Sequence, residues 1–243
     1  MSEKALASPS RDDVAPSAEH WTLRLHAVCS TVAVMALLNV LWLAFTLLGA
    51  VVLGIAPATV AAAHCVRERT AGRLHRPVST FARTWRAELV GANLALLPQL
   101  LLLVVLGWNY VAYSAAGPAA SAPRLATLAA LLLVVTVGCW LPGMYVHYDM
   151  PRRRFLLTAL RFTLAKPIPS VLQLFVLAVL GYLSYRLPPL LPAVSVGAWL
   201  YLSTWLALRF FAENEARLAD PDDPTPTPDE RALGLPSDPL RMR

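Results

Sequence analysis

A chain of 243 residues that is 57% hydrophobic and 15% charged, with mean hydropathy +0.54, is not built like an ordinary soluble domain, where about 25% of residues are charged. Its net charge of +6 is segregated: residues 21–212 hold fifteen Arg/Lys against three acids, and the segments on either side are net acidic. Positive charge confined to the most apolar part of the chain excludes nucleic acid and points to a bilayer with anionic headgroups as the partner.

Residues 1–20, MSEKALASPSRDDVAPSAEH, are polar and mixed in charge, and are expected to be a disordered N-terminal tail. They hold no apolar core with a small-residue cleavage site, so no signal peptide is expected. Trp21, Arg24 and His26 then mark a membrane interface.

The stretch from Ala27 to Ala63 follows, 37 residues without Asp, Glu, Lys, Arg or His. As one helix it would run roughly 55 Å, against a hydrocarbon core of about 30 Å. The chain must therefore turn back inside it. Gly49, Gly54 and Pro57 are the residues able to bend it, since glycine tolerates unusual dihedrals and proline removes a backbone donor. The expected element is a helical hairpin: a first span over 27–48, a bend over 49–57, and a return ending at Arg67.

After the polar loop RERTAGRLHR, residues Leu74, Val78, Phe81, Trp85 and Leu89 recur at helical spacing, with Arg76, Arg83 and Arg86 off that stripe. This predicts an amphipathic helix lying in the membrane interface, apolar face down and arginines toward lipid headgroups. Leu89–Tyr113 and Leu125–Tyr148 read as the third and fourth spans. A second basic and apolar segment, PRRRFLLTALRFTLAKP, repeats the Pro-then-Phe arrangement of the first: Pro77–Phe81 corresponds to Pro151–Phe155, and Arg152, Arg153 and Arg154 are the matching headgroup candidates. Ile168–Tyr185 and Ala193–Leu208 are the fifth and sixth spans. Residues 213–243 are acidic and Pro-rich and are expected to be a disordered C-terminal tail.

The 67–86 loop carries six Arg, and the 149–166 loop four Arg and one Lys. The positive-inside rule makes both loops cytoplasmic. Six spans then place both termini inside a bacterial plasma membrane. The expected fold is thus all-α: a polytopic transmembrane bundle of about six spans over 21–212, with interfacial amphipathic segments.

The segments LNVLWLAFTL, GIAPATVAAAHCVRER and FARTWRAELVGANLALL, with MYVHYDMPRRRFLLTALRFTLAKPIPSVL further on, resemble the YesL family of bacterial membrane proteins. In that family an Asn-then-Trp first span is followed by a Gly-Pro-Ala-Thr-Ala-type turn. Ala56 departs from the pattern, standing where the family more often has Gly, and so does Glu88, where Asn is frequent. Members often occur near carbohydrate-import genes, so the resemblance implies an accessory role in carbohydrate uptake and contact with a sugar importer membrane subunit.

Polar groups inside spans are costly and single out Asn39 and Asn93, together with Asn109, Gln99 and Gln173, as helix–helix or ligand contacts. Trp42 is read as packing, and Gly54 and Pro57 as the bend. His64, next to Cys65 and one turn before Glu68, lacks the further ligands a metal site needs. Cys29, Cys65 and Cys139 are far apart and odd in number, and read as small buried hydrophobes. His147 and Asp149 read as interfacial groups. There is no G-x-S-x-G, Walker A or H-E-x-x-H pattern and no paired carboxylate within a span. The sequence reading is therefore a non-enzymatic accessory membrane protein without cofactor. The alternatives are a small-solute transporter using the Gly49–Pro57 bend, and a membrane-embedded enzyme.

Overall fold

Eight α-helices follow one another in the computed structural model of the chain, which describes residues 16–148 and 152–219, with side chains over 24–148 and 155–216. They are α1 (Pro16–Leu48), α2 (Val52–Thr70), α3 (Pro77–Ala87), α4 (Leu89–Ala115), α5 (Ser121–His147), α6 (Arg152–Ala165), α7 (Pro167–Arg186) and α8 (Val196–Ala219). A short 3₁₀ turn precedes α5, and a π-type turn over Leu191–Ser195 leads into α8. No strand occurs among the described residues. The all-α bundle is as expected. The tails expected to be disordered lie outside the described residues at 1–15 and 220–243, as do Asp149 and the side chains of Arg152, Arg153 and Arg154. Residues 16–20 and 213–219, placed in those tails from sequence, are helical.

The first hairpin forms where the length of the apolar run requires it. Its turn is tighter than the expected 49–57 bend, and it is made by Ala50 and Val51, which carry φ of 54° and 63°. A β-branched residue with positive φ is unusual. The flanking glycines supply contact instead of dihedral freedom. A Cβ on Gly54 would lie 2.3 Å from the Thr46 carbonyl oxygen, and one on Gly49 would lie 2.4 Å from the Gly54 Cα. Pro57 does not form the bend. It lies buried inside α2.

Among the described residues, five helices are long and apolar enough to cross a membrane: Arg24–Leu48, Leu89–Ala115, Pro118–His147, Pro167–Arg186 and Leu191–Ala216. The predicted return span, α2, differs from them. It has 19 residues, eleven of them buried, and Arg67 and Arg69 in its last turn. It packs against α1, α3, α4, α5 and α8. Small side chains make this enclosure possible: Ala56, Ala58, Ala61, Ala62 and Ala63 are all fully buried.

Helices α4 and α5 form a second antiparallel hairpin, tied by Gln99 to the Val134 carbonyl at one level and by Tyr145 to Glu88 near its open end. The tip of the first hairpin lies beside the second turn of α4, because Asn93 donates to the Leu53 carbonyl. Beyond Asn93, α4 runs on for 22 residues, roughly 33 Å. The first hairpin therefore turns within the length of α4, well short of its far end.

The two amphipathic segments are helical, as α3 and α6, but aromatic residues of their apolar faces pack on protein, while Val78, Leu157 and Leu164 are exposed. Phe81 and Trp85 are buried against Phe45 of α1, with ring centroids 5.2 and 5.3 Å away. Phe155 is buried beside Tyr145 of α5. The periodicity was legible, but it could not say whether protein or lipid covers the stripe. On the other face of α3, Arg76, Arg83 and Arg86 are exposed, as expected.

Candidate functional site

Two asparagines mark places where the helical backbone is interrupted. Pro57 has no N–H to give the Leu53 carbonyl four residues back. Asn93 of α4 donates to that carbonyl at 2.9 Å. The proline and the asparagine therefore answer one another across α2 and α4. Asn39, fully buried, works in a similar way on α8. Its Nδ2 donates to the Pro192 carbonyl, and its Oδ1 accepts from the Gly197 N–H at 2.9 Å. These two backbone groups are five residues apart, the spacing of a π-type hydrogen bond. The Asn39 amide bridges them. Asn39 thus satisfies backbone in an apolar interior, where an unpaired group is costly, and Asn93 does so at a more exposed place.

Near these two ties lies a partly open cavity of about 280 Å³, lined by residues of α1, α2, α4, α5, α7 and α8. Its lining includes Trp42, Thr59, Gln99, Cys139, Leu177 and Trp199. Two of its polar side chains have partners, whereas the Trp199 indole N–H is buried without one. The Trp42 indole N–H donates to Thr59 Oγ1 at 3.0 Å, and Gln99 donates to the Val134 carbonyl. Gly138 lets that amide approach, since a Cβ there would meet Gln99 Nε2 at 3.3 Å. Of the residues singled out from sequence, Trp42 and Gln99 meet here. Thr59, Cys139 and Trp199 had not been connected with them. Thr59 lies in an Ala-rich stretch and Trp199 in an apolar run, so neither carried a positional signal.

A polar cluster closes one end of the bundle. Arg67 donates to the Val146 carbonyl, one of the carbonyls left open at the end of α5. Arg69 donates to Ser30 Oγ of α1 at 2.9 Å. Glu88 accepts from the Tyr145 hydroxyl, and His147 meets Glu215 of α8 at 2.9 Å. Glu68 pairs with Arg73 at 2.9 Å, and that hydrogen bond holds its carboxyl below the usual range. His64 lies half-buried in α2 one turn before Glu68. Among the described residues no three His, Cys, Asp or Glu side chains gather as metal ligands would. Cys65 and Cys139 are buried, whereas Cys29 is exposed.

The arrangement offers binding surfaces. A nucleophile, base and orienting group do not come together among the residues lining the cavity, which are aliphatic and aromatic apart from Thr59, Gln99 and the Cys139 thiol.

Comparison with known proteins agrees with the first-hairpin pattern. Residues 35–110 match the family described as "Protein of unknown function, DUF624". The "Uncharacterized protein YesV" of Bacillus subtilis (strain 168) is 35% identical over 195 residues, covering 79% of this chain and 94% of that protein. The "Uncharacterized protein YesL" of the same organism is 42% identical over 69 residues, 26% of this chain and 33% of that protein. A third, "Uncharacterized protein YteU", is 28% identical over 177 residues, 71% of this chain and 78% of that protein. No solved structure matches.

Proposed function

The chain belongs to the DUF624 family of proteins of unknown function, and on that premise we propose that it is a non-enzymatic accessory protein of the bacterial plasma membrane, acting by contact with another membrane complex. The observation that carries this reading is the chemistry of the cavity wall. A sugar needs many unengaged donors and acceptors, and a site without them leaves its hydroxyl groups unpaired. Here Thr59 and Gln99 are already engaged, and the rest of the wall is chiefly apolar. That favours an accessory role over a sugar carrier. The link to carbohydrate uptake, and a sugar importer membrane subunit as partner, rest on the family resemblance alone. Purification in mild detergent is expected to retain a permease subunit, while the isolated protein gives no binding signal with mono- or oligosaccharides. Saturable sugar binding, or solute flux through proteoliposomes of the protein alone, would favour the transporter alternative.

The same reading places both termini in the cytoplasm. Arg69 beside Ser30 brings the part of α1 where its apolar run begins to the basic 67–76 loop, and His147 with Glu215 brings the last turns of α8 to the second basic loop. The exposed Arg76, Arg83 and Arg86 then face the headgroup layer, where each cation contributes about 1 kcal/mol toward anionic lipid. A cysteine introduced at Ser114, on the neutral side, should react with an impermeant thiol reagent in intact cells. One at Ser79 should react only after lysis. Both belong in a background lacking the exposed Cys29. Labelling of the second site but not the first in intact cells would reverse the orientation.

A further inference from the structure

A separate hollow of about 240 Å³ lies where α6 gives way to α7, against the last turns of α8. Its apolar lining includes Phe162, Ile168 and Phe210, and its polar lining is Lys166, Glu213 and Asn214. Lys166 directly precedes the span Pro167–Arg186, and Glu213 and Asn214 belong to the last turn of the span Leu191–Ala216. The polar groups therefore stand where hydrocarbon gives way to headgroups, at the end of the bundle that carries the basic loops.

Two opposite charges share this hollow without pairing. Among the described residues the Lys166 ammonium has no ion-pair or hydrogen-bond partner, and neither has the Asn214 amide. Glu213 accepts from Arg209 Nε at 3.2 Å through Oε1 alone, and its Oε2 is open. A cation and a carboxylate are thus held apart at a depth where water thins and attraction between charges strengthens. The ligand that complements them carries an anion and a cation in one group, on a body that tolerates apolar neighbours.

At this depth a zwitterionic phospholipid meets that description. Its phosphate is an acceptor for a lysine ammonium, and its diglyceride continues past Ile168, exposed on the first turn of α7. The cationic end decides between two such lipids. A primary ammonium has three N–H donors, which the Glu213 Oε2 and the Asn214 amide oxygen accept. A quaternary choline has none and prefers a cage of aromatic faces, whereas the two aromatic rings of this hollow, Phe162 and Phe210, both pack on Trp140.

We propose that this hollow binds the headgroup of one phosphatidylethanolamine molecule, with its phosphate at Lys166 and its ammonium at Glu213 and Asn214. The site is distinct from the basic face of α3 and independent of the accessory role.

Delipidated full-length protein in detergent is titrated with phosphatidylethanolamine or phosphatidylcholine of identical acyl chains, and bound lipid is counted by native mass spectrometry. The expected result is saturation at one phosphatidylethanolamine per chain, with a midpoint about tenfold or more below that of phosphatidylcholine. Glu213→Gln should erase that difference, whereas Arg209→Gln, which removes only the neighbour of Glu213, should preserve it. Lys166→Gln should weaken both lipids alike, and Lys166→Arg should restore them. Glycerophosphoethanolamine, the same headgroup without acyl chains, should compete about a hundredfold less well than the lipid. The wild-type comparison and the soluble competitor need no variant. Equal midpoints for the two lipids, a preference that survives Glu213→Gln, or equal competition by the soluble headgroup overturns the proposal.

Discussion

Replacing Gly197 by alanine should destabilise the protein by about 3 kcal/mol or more, while the same change at Gly107 should stay within about 1 kcal/mol of wild type. The two glycines differ chiefly in what surrounds them. A Cβ at Gly197 would lie 2.0 Å from the Met35 carbonyl oxygen, 2.7 Å from the Asn39 nitrogen and 2.9 Å from the Asn39 Cβ. Two of these atoms are backbone, so α1 and α8 must move apart as rigid elements to make room. That separation also loosens the Asn39 amide from the Gly197 N–H. At Gly107 nothing lies within 4 Å, and the added methyl only improves helix propensity. Thermal midpoints of the purified variants, followed by fluorescence-detected gel filtration, check both. Equal midpoints for the two variants would remove the close approach of α1 and α8 as a determinant of stability.

Asn39→Leu should be the next most damaging change. The side chain is fully buried, and its removal leaves the Pro192 carbonyl and the Gly197 N–H without the amide that joins them. A single interhelical hydrogen bond in a membrane averages about 0.6 kcal/mol and reaches about 1.7. Here two backbone groups lose their partner together, at the π-type turn that leads into α8. The expected loss is about 2–3 kcal/mol, since each buried unpaired group costs about 1–3 kcal/mol. For a chain of this size that lowers the midpoint by about 5–10 °C. Asn93→Leu leaves only the Leu53 carbonyl open, and that acceptor lies in an exposed contact, so its effect should be clearly smaller. If the two asparagine variants melt together, the bridge at Asn39 carries no special weight.

Much of the candidate site was legible as a set of anomalies. Asn39, Trp42, Pro57 and Asn93 stand out because each puts a polar or helix-breaking group in an apolar run. What could not be read was how they pair. Asn93 is 40 residues from the carbonyl it satisfies, and Asn39 is 158 from the N–H it accepts. Neither spacing follows from periodicity. Thr59, Cys139 and Trp199 gave no anomaly at all, since a threonine, a cysteine and a tryptophan are each at home in a helix of this kind. Arg67 read as the beginning of a basic loop, yet its guanidinium caps the end of α5.

The sequence by itself determined that this chain is an all-helical membrane protein, that its first apolar run folds back on itself, and that its basic loops lie between spans. Each follows from a local quantity: the length of an uncharged stretch against the thickness of a bilayer, or the spacing of apolar residues along a helix. The tertiary structure alone decided which apolar surfaces meet protein and which meet lipid. Phe81 and Phe155 have the same spacing from a proline that a lipid-facing helix would show, but they are buried because Phe45 and Tyr145 lie opposite them. It also decided that α2 is enclosed, because a run of alanines lets five neighbouring helices close on it. A hydropathy pattern records that a residue avoids water, and the free energy of that avoidance is nearly the same in a protein core and in a hydrocarbon tail.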